Sequence, residues 1–192
     1  MPTGSNARQV NREPGDGHVL HAGQLPPADA DSVAGIIGEL KISERWQHDG
    51  VRVIPGDRLD GNTAQTPGMD RKAAITFARA GARKLWAGTV QIHPDARTGA
   101  HHHGPLESVI YVIRGRARMR WGERLEFTAE AGPGDFIFVP PFVPHQEINA
   151  SPTEVLECVL VRSDGEAVVV NLDIEAVGDP QTVAWIDPIH QA

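Results

Sequence analysis

The sequence has little cysteine, few aromatic residues and no long apolar run. Its one cysteine, Cys158, excludes an internal disulfide framework and a cysteine-rich zinc site, so a reducing compartment is permitted. Cys158 lies in the apolar segment Val155–Val161, which indicates a buried packing residue rather than a reactive thiol. No stretch approaches the ~18 apolar residues of a membrane span, and the N-terminal residues lack the apolar run of a signal peptide. We therefore expect a soluble, cytoplasmic protein without a membrane partner.

Positive charge is also scarce. The chain has 18 Lys and Arg against 25 Asp and Glu, a formal charge of −7, which excludes a basic surface for nucleic acid. Its 192 residues fit one domain of the usual ~100–200 residues with terminal extensions. A small molecule is the expected partner.

The N-terminal part divides into an arm and a helix. Residues 1–30 are rich in Gly, Pro, Asp, Asn and Gln, with too few large apolar groups to offset the entropy of ordering, so we expect a loose arm. Behind a capping Ser32, apolar residues recur with helical spacing, which predicts an amphipathic helix over residues 31–48. These apolar residues are Val33, Ile36, Ile37 and Leu40.

Beyond Gly50 the pattern changes to short β-type runs separated by turn residues. This predicts one all-β domain, a sandwich or barrel, over residues 50–175. Residues 176–192 are an extended tail, whose Trp185 is expected to pack on the domain or on a neighbouring subunit. The predicted strands are Val51–Ile54, Ala74–Arg79, Leu85–His93, Ser108–Arg114, Arg116–Trp121, Phe136–Val139, Val155–Val161 and Ala167–Leu172.

Two segments carry candidate metal ligands. In an extended chain alternate side chains share a face, so His101 and His103 can point into one cavity while His102 points away. The carboxylate of Glu107 follows closely, and His145 comes after a short apolar strand and a proline-rich turn. Three imidazoles and a carboxylate suit a divalent ion of Fe, Mn, Co, Ni or Zn.

These segments resemble the two motifs of the cupin superfamily, G-x5-H-x-H-x3,4-E-x6-G and G-x5-P-x-G-x2-H-x3-N. The matching residues are His101, His103, Glu107 and Gly115 in the first motif and Gly134, Pro140, His145 and Asn149 in the second. There are two departures. Phe142 stands where the second motif has glycine, and seven residues rather than six separate Glu107 from Gly115. Counting back from Gly115 instead places Ser108 at the acidic position and leaves a three-histidine site.

We favour Glu107 as the fourth ligand because a β-bulge can absorb one extra residue. The resemblance covers residues 70–175 and implies a single-domain cupin: a double-stranded β-helix, or jelly-roll barrel, with a short N-terminal helix outside it. It also implies one divalent metal ion per chain, held by His101, His103, Glu107 and His145, and a homodimer.

Function is less determined, because cupins include dioxygenases, isomerases, decarboxylases, lyases and proteins without a reaction. Our leading hypothesis is a metal-dependent oxidoreductase of dioxygenase type that acts on a small oxygenated organic substrate. Glu107 and Tyr111 are the candidate catalytic residues, because both lie on one face of the predicted strand if no bulge intervenes; core packing explains Tyr111 equally well. The alternatives are a redox-neutral isomerase or lyase, and a non-catalytic module that binds a small molecule or carbohydrate.

A row of arginines follows the first motif, at positions 114, 116, 118 and 120, and alternates with smaller or apolar residues. Such a row is typical of a solvated strand face. The alternative is that one arginine turns inward and binds a substrate carboxylate through two hydrogen bonds.

Overall fold

A computed structural model of the chain describes residues 10–12, 47, 50–165 and 168–185, with the backbone alone described at residues 10–12. The strands are β1 (Val10–Arg12), β2 (Met69–Ile75), β3 (Trp86–Ile92), β4 (His101–His102), β5 (Ser108–Arg114), β6 (Ala117–Trp121), β7 (Phe127–Ala131), β8 (Phe136–Val139), β9 (His145–Asn149), β10 (Leu156–Arg162), β11 (Val168–Asn171) and β12 (Gln181–Thr182). They form a seven-stranded sheet in the order β1-β11-β4-β9-β6-β7-β12 and a five-stranded sheet in the order β2-β3-β10-β5-β8. This confirms the predicted all-β jelly-roll class.

Helical structure is sparse in the part of the chain that the structure describes. There is a 3-10 turn at Gly56–Arg58 and one short helix, α1 (Phe77–Ala80). The Thr76 hydroxyl accepts a hydrogen bond from the Arg79 N–H and caps α1. The amphipathic helix predicted over residues 31–48 lies outside the described residues except for position 47. None of the described helices is long and apolar enough to cross a membrane.

The strand predictions succeed where β-branched residues are dense. β5 and β8 have the predicted bounds, β6 begins one residue later than predicted, and β3 and β10 each differ by one residue at both ends. The strand predicted at Val51–Ile54 is wrong, because this segment pairs with no described strand and the side chains of Val51 and Val53 are 97% and 83% exposed. The strand predicted at Ala74–Arg79 is wrong beyond Ile75, where α1 follows.

Both terminal regions contribute to the seven-stranded sheet. Val10–Arg12, within the predicted arm, pairs antiparallel with β11. Gln181–Thr182, within the predicted tail, pairs parallel with β7. Trp185 is 81% exposed, so the first of its two expected positions, packed on the domain, is not seen in the described part of the chain. Packing on a neighbouring subunit stays a prediction.

The core lies between the two sheets, because each strand turns alternate side chains inward. In β10 the inward residues are Leu156, Cys158, Leu160 and Arg162. Cys158 is 2% exposed, as predicted for a packing residue, and burial raises the pKa of its thiol to about 12. Arg162 ends this otherwise apolar row. It marks the polar end of the interior, where the candidate site lies.

Candidate metal centre

Three histidines converge between the sheets. β4 and β9 are neighbours, and their register places His101 opposite His145, with ring centroids 4.3 Å apart. His103 lies two residues beyond His101 on the same side, with its ring 4.9 Å from that of His101 and 5.1 Å from that of His145. All three side chains are buried, whereas His102 turns away and packs near Phe142. The predicted alternation within this segment is confirmed.

Glu147 completes the group. It follows His145 by two residues in β9, so both side chains face inward, and it is buried. One ligand atom from each of His101, His103, His145 and Glu147 lies within 4.8 Å of the other three. This is close enough for one metal ion to reach all four residues.

The hydrogen bonds of the histidines leave one nitrogen of each ring facing the others. The Nδ1–H groups of His101, His103 and His145 donate to the carbonyl oxygens of Gly99 (3.0 Å), Val168 (2.8 Å) and Val143 (2.9 Å). The Nε2 atoms of His103 and His145 are buried without a hydrogen-bond partner. Buried polar atoms are rarely left so, and histidine ligands commonly donate their second nitrogen to a carbonyl. The site therefore fits a divalent cation.

The electrostatics of the group favour the protonation states that a metal requires. Burial, together with the charge of His145, lowers the pKa of His101 from 6.5 to about 4. Burial and the charge of Arg162 lower the pKa of His103 to about 2. Burial raises the pKa of Glu147, but attraction to neighbouring basic groups, first His101 and His145 and then two arginines, outweighs burial and holds this pKa below its usual value. The imidazoles of His101 and His103 are therefore neutral, and the carboxylate of Glu147 is ionised, at neutral pH.

Glu107, the predicted fourth ligand and catalytic residue, is not brought to the histidines. Its side chain is exposed, because β5 begins one residue later with the inward-facing Ser108. A bulge does occur in β5, between Val112 and Arg114, but the strand alternates regularly before it. The bulge therefore comes too late to turn Glu107 inward. Ser108 holds the acidic position of the motif, and the carboxylate comes from a different strand.

Tyr111, the second candidate catalytic residue, lies on the other side of the sheet. It alternates with the inward Ile110 and Val112, and its ring contacts that of Phe136, with centroids 4.8 Å apart, on the outer face. Because the sheet separates this ring from the histidines, the structure does not support a catalytic role for Tyr111.

The arginine row lies on a solvated strand face, as the first of the two interpretations predicted, and no arginine of the row points inward. The inward residues of β6 are Ala117 and Met119, while the Arg118 side chain donates to Glu130 and that of Arg120 to the carbonyl oxygen of Leu125. The buried arginines lie elsewhere, in β2 and β10.

Phe142 stands where the second motif has glycine, and its backbone has the left-handed conformation that favours glycine. Phe142 has a φ of 61°, in the left-handed region that favours glycine, and its side chain is 62% exposed. Its N–H donates to the carbonyl oxygen of Gly104 at 2.8 Å, which ties the turn before His145 to the loop after His103. The turn that positions His145 is thus retained without glycine.

Three buried charged residues were not predicted from the sequence. Glu147 lies two residues after His145 in β9, so the two side chains share one face of the strand. This spacing would have predicted an inward Glu147 if β9 had been predicted as a strand. Arg162 follows the buried Leu160 with the same spacing, and its guanidinium lies 5.7 Å from the centroid of the Trp86 ring. Arg71, in β2, is 6% exposed, and no apolar periodicity singles it out.

Comparison with known proteins agrees with this architecture. Residues 88–162 match the sequence profile of the family described as "Cupin domain". A solved double-stranded β-helix protein from Klebsiella pneumoniae is 18% identical, with a TM-score of 0.50 over 64% of this chain and 99% of that chain. That likeness concerns the fold. A search of curated proteins found no match.

Two solved enzymes are more distant in structure. The polyketide cyclase RemF from Streptomyces resistomycificus is 25% identical, with a TM-score of 0.48 over 64% of this chain and 80% of that chain. A variant of Bacillus subtilis oxalate decarboxylase is 22% identical, with a TM-score of 0.49 over 57% of this chain and 29% of that chain. With its jelly-roll sheets, its two histidine segments and the profile matched over residues 88–162, the chain contains a cupin domain.

Proposed function

We propose that this cupin is a mononuclear metal-dependent enzyme that acts on a small oxygenated organic molecule, and that its reaction is of the dioxygenase type. One observation carries the proposal: the Nε2 atoms of His103 and His145 are buried without partners beside His101 and the ionised Glu147. A structural cluster of histidines would satisfy these atoms within the protein. Their convergence on one point is typical of a metal centre.

The residues of the site prepare it for a divalent ion. Three carbonyl oxygens hold the imidazole rings in the tautomer that directs Nε2 inward. Burial keeps the rings of His101 and His103 neutral, and Glu147 supplies one negative charge. A redox-active metal bound there would polarise an oxygen-bearing substrate and allow dioxygen to react at the same centre. His101, His103, His145 and Glu147 would hold the ion, and any remaining coordination position would be open to substrate.

A redox-neutral isomerase or lyase is the second candidate. The observation that favours it is the pair of buried arginines, Arg71 and Arg162, whose charges both act on Glu147. Positive charge near a metal centre stabilises an enolate or carboxylate as negative charge develops, without any oxidant. A non-catalytic binding module is the third outcome that the experiments must distinguish.

The first experiment is elemental analysis of the purified full-length protein, followed by substrate screens. We expect about one equivalent of Fe, Mn, Ni, Co or Zn per chain. Oxygen uptake that depends on diketones, phenols or hydroxy acids would support the dioxygenase. Turnover that persists without oxygen would support the isomerase or lyase. Thermal stabilisation by a compound that is not turned over would support the binding module.

Failure of the proposal is recognisable at the first step. If neither the isolated protein nor protein reconstituted with each metal holds a stoichiometric ion, the proposed metal centre is wrong. The proposed dioxygenase activity is then wrong as well, because it requires the metal.

A further inference from the structure

Two aromatic residues lie beside the histidines on the inner face of the seven-stranded sheet. Trp121 is the direct partner of His145 in the ladder between β6 and β9, and of Phe127 in the ladder between β6 and β7. Directly opposed residues of an antiparallel ladder project to the same face, with Cβ atoms ~5 Å apart. Since His145 points inward, as do Ala117 and Met119 on the same face of β6, the side chains of Trp121 and Phe127 point inward too.

The register extends this pairing into one row of side chains across six strands. The row contains, in order, Asn171, His101, His145, Trp121, Phe127 and Gln181. The two histidines are buried, the two aromatic residues are half-buried, and the residues at both ends of the row are exposed. On the side of β7 and β12, the aromatic pair therefore lies between the candidate metal ligands and solvent.

The β6–β7 hairpin holds the two aromatic residues in place. Their rings are neighbours, with centroids 6.0 Å apart. The Arg120 side chain donates to the carbonyl oxygens of Leu125 and Val177 at 2.9 and 2.7 Å, which ties the hairpin loop to the C-terminal segment. The N–H of Gln181 donates to the carbonyl oxygen of Glu126 at 2.8 Å and adds a second tie. Rings on a hairpin braced in this way are positioned before a ligand arrives, which lowers the entropic cost of binding.

The neighbourhood of the two rings suits a flat ligand that carries oxygen. Large apolar side chains left partly in water forgo the free energy of burial, and contiguous exposed apolar surface commonly marks a binding site. An aromatic or conjugated ring covers such side chains by offset stacking, which stabilises more than the buried area alone. The histidines next to them in the row would hold a metal ion, which binds an oxygen atom of a ligand. One ligand with both features could use both groups.

We propose that Trp121 and Phe127 form an aromatic wall of the substrate site, and that this wall receives a planar unsaturated ring whose oxygen substituent faces the metal ligands. The two residues bind and orient the ring by stacking and transfer no proton. Trp121, the direct neighbour of His145, makes the larger contribution. This inference rests on the metal centre proposed above and narrows its substrates to phenols, catechols and cyclic enols.

The test measures binding of 4-nitrocatechol, a flat ring with two oxygen donors, to the zinc-loaded full-length protein. Zinc is redox-inactive, so the ligand is bound without being oxidised. The control ligand is acetohydroxamate, which offers two oxygen donors to the metal but has no ring. Calorimetric titration gives both affinities. We expect Trp121→Leu to weaken 4-nitrocatechol binding roughly fivefold and to leave acetohydroxamate binding unchanged, because only the first ligand stacks.

Further variants separate stacking from folding. Trp121→Phe keeps a ring and should retain more of the 4-nitrocatechol affinity than Trp121→Leu, and Phe127→Leu should cause a smaller loss in the same direction. The matched control is Trp185→Leu, at an exposed tryptophan beyond β12, and should change neither affinity. Each variant should hold one equivalent of zinc. If Trp121→Leu weakens the two ligands equally, the residue supports the metal ligands without stacking and the aromatic wall is wrong.

Failure of the metal centre is distinguishable from failure of the aromatic wall. If no zinc binds, but metal-free protein binds 4-nitrocatechol and Trp121→Leu weakens that binding, the aromatic wall stands and the metal-dependent function does not. If zinc binds and 4-nitrocatechol either fails to bind or binds equally well to wild type and Trp121→Leu, the aromatic wall is wrong and the metal centre stands.

Discussion

His101 and His145 face each other across the β4–β9 ladder with ring centroids 4.3 Å apart, although 43 residues of sequence separate them. Antiparallel pairing places both on the inner face, and a hydrogen bond from each Nδ1 to a carbonyl two residues earlier fixes each ring in the same way. The same local hydrogen bond therefore orients both histidine rings. Removing either ring should break the metal centre without removing a strand.

Replacement of His145 tests the metal centre directly. We expect His145→Ala to lose stoichiometric metal, because the site then keeps two imidazoles and one carboxylate. Elemental analysis after gel filtration measures this. The matched control is His93→Ala, since His93 lies at a strand end, is paired with Asp70 and is about half exposed. Equal metal content in both variants would contradict the assignment of His145.

Replacing Glu147 and replacing Glu107 should have different effects on metal affinity. Glu147→Gln should weaken zinc or cobalt binding at least tenfold, because it removes the negative ligand from a buried cation. Glu107→Gln should leave the affinity unchanged, because that side chain is exposed and outside the group. Calorimetric titration of the metal-free variants compares the two. A large loss for Glu107→Gln alone would restore the arrangement expected from sequence.

The stability of metal-free protein should fall as the solution becomes acidic. The pKa values of His101 and His103 are about 4 and 2 when folded, against 6.5 for free histidine, so between these limits the unfolded chain binds more protons. Stability is therefore retained above pH 6.5 and lost below it. At about 1.4 kcal/mol per pH unit, each histidine accounts for a loss of up to about 2 kcal/mol between pH 6.5 and pH 5.

Urea unfolding at pH 7 and pH 5 measures this loss. The double variant His101→Gln, His103→Gln should show a smaller dependence, since glutamine does not titrate. A metal-free wild type that is as stable at pH 5 as at pH 7 would show that these imidazoles are not held neutral by burial.

Substitutions at Phe142 test whether the turn before His145 requires a positive φ at this residue. Phe142→Gly and Phe142→Ala both remove the ring, so their difference reports the backbone. We expect the glycine variant to be more stable than the alanine variant by about 1 kcal/mol, the reverse of the usual order in regular structure. Chemical denaturation measures the difference. A more stable alanine variant would mean that the turn is not held in the left-handed region.

The homodimer implied by the sequence resemblance stays a prediction, and the outer face of the five-stranded sheet is the surface on which we expect it. Phe136 and Phe138 are 72% and 57% exposed there, beside Tyr111. The rim carries both signs of charge, in the Arg114–Glu157 pair, which suits a second copy of the same face better than a partner of one charge.

Light scattering after gel filtration tests this surface. Phe136→Asp should convert the dimer to a monomer. The control Phe142→Asp alters another exposed phenylalanine, which lies outside this face, and should leave the dimer intact. A wild-type monomer, or a dimer that is unaffected by Phe136→Asp, would contradict the prediction.

The sequence by itself determined the fold class and three of the four residues of the candidate metal group. Turn residues and β-branched runs predicted β5 and β8 with their bounds, because local chemistry and strand burial agree there. The spacing of His101 and His103, and the turn before His145, needed only the alternation of an extended chain.

Only the tertiary structure decided which carboxylate joins the histidines and where the buried arginines lie. The residue at which a strand begins decides which of its side chains point inward. Because β5 begins at Ser108 in this register, Ser108 points inward and the preceding Glu107 does not. The polar composition of β9 concealed a strand that pairing with β4 and β6 creates, and with it Glu147. Arg162 is buried opposite Ser108 because β10 lies beside β5 in the sheet, a neighbour relation between residues 54 positions apart that no local pattern encodes.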